Sequence, residues 1–106
     1  DIKADSGGFC HAALVNRNLD TGNGLGIGLK FKKENLPYLI EWKNFNPGEY
    51  VLGLEPGNAF VSGIGKEREA GRVRTINPSE KVEMKIGISI LSGHNEIDDY
   101  IKQHIK

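Results

Sequence analysis

The sequence predicts a mainly β protein, an antiparallel sheet assembly that forms part of a larger β-sandwich and ends in one short helix. Three observations carry this. Apolar residues alternate with polar ones at a period of two along most of the chain. Gly, Pro and Asn clusters punctuate these runs as tight turns do. Helical spacing of apolar residues is confined to the C-terminal stretch.

After a polar lead-in, Ser6-Gly7-Gly8 marks a turn and Phe9 to Val15 reads as the first strand, closed by Asn16-Arg17-Asn18. Cys10 and His11 are sequence neighbours, and strand neighbours point to opposite faces. They are therefore read as packing or surface residues rather than a nucleophile–base pair. Leu19 to Gly24 is a loop. Leu25, Ile27, Leu29 and Phe31 then alternate with Gly26, Gly28, Lys30 and Lys32 as a second strand. A phosphate-binding glycine loop would need a helix after the glycines, and a strand follows instead. Gly26 and Gly28 are expected to leave a bare strip against which another group packs.

Tyr38 to Phe45 and Tyr50 to Glu55 form the third and fourth strands around the turn Asn46-Pro47-Gly48. Pro56-Gly57 is expected to stop the fourth strand, leaving Glu55 at its end. A strand-end carboxylate is rigid behind and open in front, as a catalytic group requires, although most such glutamates are solvated charges. Gly63-Ile64-Gly65-Lys66 lacks the spacing and the Ser or Thr of a phosphate loop. Lys66 to Ala70 is expected to form a helical turn stopped by Gly71. Arg68 on it reads as a sugar or carboxylate clamp or as a surface charge.

Arg72 to Ile76 reads as a short strand. Val82, Met84, Ile86, Ile88 and Ile90 give the cleanest alternation in the chain. They predict a strand of about ten residues whose apolar face is core. Ile97, Tyr100, Ile101 and Ile105 then recur at helical spacing over Asn95 to Lys106, with Asn95 as N-cap. His94 and His104 are expected at the surface, too far apart to share a metal.

The 106 residues suit a single unit. Fourteen basic and 14 acidic residues balance, which gives no basic footprint for nucleic acid or an anionic membrane. One cysteine excludes an internal disulfide and suits a reducing cytoplasm. No apolar run is long enough for a membrane helix.

The wording of two strands goes further. Leu36 to Lys43 (L-P-Y-L-I-E-W-K) and Tyr50 to Pro56 (Y-V-L-G-L-E-P) resemble the C-terminal part of the aldose 1-epimerase (galactose mutarotase-like) superfamily, in particular a bacterial branch of it. The likeness continues through Gly65 to Arg72 and Asn77 to Glu80. It implies a β-sandwich enzyme that interconverts sugar anomers, with Glu55 as the general base. The superfamily's acid is a histidine upstream of this motif, which His11, His94 and His104 do not match. With a chain that opens on Asp1 rather than Met, the resemblance implies a C-terminal part whose partners are a monosaccharide and the rest of its own polypeptide. It implies no cofactor. Trp42 would offer its ring to a sugar, and Lys43 points the other way. Asn58 would donate to sugar hydroxyls or serve a turn. Two other readings remain: a non-catalytic carbohydrate-binding β-domain, and a structural module without a sugar site.

Overall fold

The computed structural model describes residues 2–105. Strand β1 (Phe9–Asn16) pairs antiparallel with β2 (Leu25–Lys32), and β2 pairs antiparallel with β5 (Ile86–Ser92), giving a sheet ordered β1-β2-β5. Helix α2 (Gly93–His104) follows β5 directly. A separate two-stranded sheet is made by β3 (Tyr38–Asn46) and β4 (Glu49–Gly57), and a short helix α1 (Ile64–Glu69) comes after it. The fold is thus mainly β and antiparallel with a short C-terminal helix, as the alternation predicts. The chain divides into two compact units. One holds Lys3–Lys32 and residues 85–105; the other holds Ile2 and Lys33–Met84.

In the first unit, α2 packs on the glycine strip of β2. A Cβ on Gly28 would stand 2.6 Å from Cζ of Tyr100, and one on Gly24 would stand 3.2 Å from Cδ1 of Ile97. The absent side chains at 24 and 28 are what let the helix lie this close. Leu91, opposite Gly26, is buried on the same side, and Ile97 is fully buried. The Tyr100 hydroxyl donates to Leu29 O at 2.9 Å, which anchors the helix to the strand. Arg17 pairs with Asp98 at 2.6 Å, and His94 Nε2 lies 2.9 Å from Gly22 O, tying the β1–β2 loop to the start of α2.

The expected core face of the long alternating run is not core. The strand spans Ile86–Ser92 only, because β2 ends at Lys32 and its register with β5 stops at Phe31 opposite Ile86. Residues 82–85 have no strand to pair with. Ile86, Ile88 and Ile90 lie on the face away from α2, with Ile88 68% and Ile90 64% exposed; Val82 and Met84 are exposed too. Ile27, which pairs with Ile90, and Leu14, which pairs with Ile27, are exposed beside them. Cys10, Leu29 and Phe31, also on that face, are buried.

Three further expectations change. Residues 72–76 form no strand; Arg72 and Arg74 bond instead to Glu67 and to Glu34 O. Strand β4 runs through Pro56, opposite Leu39, to Gly57. A two-stranded sheet leaves Pro56 an open side where its missing N–H costs no ladder bond. Helix α2 begins at Gly93, so Ser92 rather than Asn95 occupies the cap position, and the Glu96 carboxylate accepts the Ser92 N–H at 2.8 Å.

Candidate functional site

The β3–β4 hairpin closes through Pro47-Gly48. Gly48 has φ 85°, which with Pro47 before it is the pattern of a type II turn. This turn sets the register, pairing Trp42 with Gly53 and Ile40 with Glu55. Directly opposed residues share a face, so Tyr38, Ile40, Trp42 and Glu55 project together. Lys43 lies on the other face, where it pairs with Glu41 at 3.1 Å.

Glu55 does not simply point outward. A Cβ at Gly53 would stand 2.7 Å from Oε1 of Glu55. The carboxylate is therefore folded back over Gly53, the residue directly across from Trp42. Gly53 leaves the seat, and the register places an indole beside it. Trp42 is 51% exposed and Glu55 is exposed. The carboxylate has no hydrogen-bond or ion-pair partner among the described residues. A solvent-facing aromatic plane beside an unengaged carboxylate can hold an apolar ring face and accept a proton.

Asn58, just past β4, lines a cleft of ≈ 320 Å³ together with Phe60, Glu67, Arg72 and Arg74. Local backbone chemistry builds this cleft. Helix α1 ends in a Schellman motif: Gly71 has φ 67°, its N–H donates to Arg68 O, and the Arg72 N–H donates to Glu67 O at 2.9 Å. That reversal brings Arg72 back beside Glu67. Arg72 Nε donates to Glu67 Oε2 at 3.1 Å and Nη2 donates to Oε1 at 2.7 Å, while Ser62 Oγ donates to Oε1 at 3.0 Å. Hydrogen bonds from Arg72, first of all, hold the Glu67 carboxyl below its ordinary range, and Glu67 in turn raises Arg72. Glu67 is only 3% exposed and its oxygens are committed, so it serves as an anchor. Arg72 sits 5.1 Å over the Phe60 ring, and the Phe60 and Tyr38 rings pack with centroids 3.9 Å apart and planes tilted by 34°. Arg68 is exposed on α1 and does not line the cleft.

The structure thus brings Glu55 and Trp42 together, puts Asn58 in the cleft and leaves Arg68 outside it. Glu67, Arg72 and Arg74 were not legible as a group. The usable sign was Gly71 after a short helical run, which predicts the reversal that joins Glu67 to Arg72.

The other unit carries a second polar cluster. One Asp5 oxygen accepts the N–H groups of Gly7 and Phe9, and the other lies 3.1 Å from His11 Nε2. A carboxylate only accepts, so Nε2 carries the proton. His11 Nδ1 is buried without a partner among the described residues. The His11 ring stacks on His104 at 4.2 Å and meets Tyr100 edge-on at 6.3 Å. The backbone bond from Phe9, then the bond from His11, lower the Asp5 pKa; burial chiefly, with His11 and Lys30 nearby, lowers that of His104. Among the described residues no cluster of three or more His, Cys, Asp or Glu could hold a metal, and no helix is long and apolar enough to cross a membrane.

A family profile described as a domain of unknown function (DUF4432) matches residues 1–90, and the chain belongs to that family. No curated protein and no solved structure matches the chain.

Proposed function

We propose that this member of the DUF4432 family is a carbohydrate-active protein of the aldose 1-epimerase type, with Glu55 as the base that removes the proton of an anomeric hydroxyl. One observation carries the reading: the Glu55 carboxylate is seated over Gly53, across from Trp42, on one exposed face. An exposed indole suits the C–H face of a pyranose. The carboxylate beside it is positioned for the hydroxyl at the ring's edge. Proton removal there, with protonation of the ring oxygen by an acid, opens the hemiacetal; rotation about the C1–C2 bond and reversal of both transfers closes the other anomer.

The hairpin carries no histidine, the residue type that serves as the acid in that superfamily. The reading assigns that role to the rest of a longer β-sandwich polypeptide. The exposed apolar strip of Leu14, Ile27, Ile86, Ile88 and Ile90 supports such a partner, since it is the kind of sheet face that a second layer covers. The lone cysteine, Cys10, suits a cytoplasmic setting.

The test is saturation-transfer NMR on α- and β-aldoses with the full-length polypeptide. Glu55→Gln keeps the shape of the side chain and removes the base, so anomer exchange falls about a hundred- to ten-thousand-fold with an unchanged melting temperature. A variant that melts and exchanges like wild type overturns the catalytic role. Aldose-dependent quenching of Trp42 with no exchange above the uncatalysed rate instead supports a non-catalytic sugar-binding domain, which the same Trp42 platform also suits.

A further inference from the structure

The cleft beside α1 has more basic than acidic lining, with the guanidiniums of Arg72 and Arg74 against the one carboxylate of Glu67. Glu67 occupies only the Nε–Nη2 edge of Arg72. A guanidinium has five N–H donors in a fixed fork, so the Nη1–Nη2 edge keeps two for another acceptor. The Arg72 side chain is 37% exposed, which leaves that edge within reach of solvent, and the buried Glu67 fixes its plane. Arg74 donates through Nη1 to the neutral carbonyl of Glu34 at 3.1 Å, so its charge is oriented but not cancelled. Asn58 adds an amide on the same wall.

We propose that this cleft binds an anionic group, a phosphate or a carboxylate.

Backbone amide NMR with inorganic phosphate at constant ionic strength tests the cleft alone. The expected result is saturable shifts at Asn58, Phe60, Arg72 and Arg74, with affinity weakened about fivefold or more in Arg74→Gln, as loss of one charge-assisted bond implies. Glu55→Gln binds phosphate as wild type does. Shifts that never saturate, or the same affinity in Arg74→Gln, overturn the proposal. A parallel titration with acetate distinguishes carboxylate from phosphate recognition.

Discussion

The ring of Tyr100 fills the space that a side chain at position 28 would need: a Cβ on Gly28 would stand 2.6 Å from Tyr100 Cζ and 2.9 Å from Oη. The hydroxyl is held by Leu29 O, so the ring cannot swing away without losing its bond. Gly28→Ala is therefore expected to destabilise the chain by about 1–3 kcal/mol, the usual cost of overpacking, although alanine elsewhere in a strand costs less than glycine. Urea melts of Gly28→Ala, and of Gly28→Ala with Tyr100→Ala, check this; the clash term disappears in the double variant.

Glu55 and Gly53 stand in the same relation with a different outcome. The group that a Cβ at 53 would meet is the free end of a flexible side chain. Gly53→Ala should leave stability within about 0.5 kcal/mol while pushing the carboxylate off its seat. Misplacement of about 1 Å can cost up to about a hundredfold in rate, so anomer exchange by the full-length polypeptide should drop with no change in melting temperature.

The apolar positions divide by which face of the sheet they occupy. Ile97→Ala removes a fully buried side chain beneath α2 and should cost about 2–5 kcal/mol. Ile88→Ala, at an exposed position, should cost no more than about 0.5 kcal/mol in this chain. Ile88→Lys should in addition reduce self-association, which sedimentation velocity reads, because it breaks the exposed strip.

Acid should loosen the Asp5–His11–His104 cluster. The folded pKa of His104 lies below its ordinary 6.5, so between those two values the unfolded chain binds more protons and stability rises with pH. That contribution is complete above pH 6.5 and declines as the pH falls toward the folded value. Asp5 is also lowered, from 3.8; its contribution is present above that value and is lost as pH falls through its folded pKa. The melting temperature should therefore fall in two stages on acidification. His104→Gln removes the upper stage and Asp5→Asn the lower one, as thermal melts from pH 7.5 to 3 would show.

Much of this protein was decided within short windows of sequence. The alternation at Leu25–Lys32 and Tyr38–Phe45 was enough for two strands, because a period of two is a property of the strand itself; at Phe9–Val15 the flanking turn signals marked the strand. The same holds for Pro47-Gly48, Gly71 and the helical spacing from Ile97 to Ile105. The shared face of Tyr38, Ile40 and Trp42 followed from the same rule. Even the close approach at Gly28 was legible, since a strand glycine leaves room that something fills.

Tertiary structure alone decided which surface is inside and which residues meet. The alternation of Ile86, Ile88 and Ile90 shows that they share a face, but α2 settles against the opposite one, and helix docking is a long-range choice that local period does not encode. The strand begins at Ile86 because its partner β2 ends, a fact belonging to another part of the chain. The placement of Glu55 over Gly53 depends on hairpin register. The Glu67–Arg72 pair depends on a helix stop that reverses the chain. His11, read as a packing or surface residue, is buried against His104, 93 positions away, because α2 folds back across the sheet. Sequence period fixes the direction of a side chain; only the docking of distant segments fixes what that side chain meets.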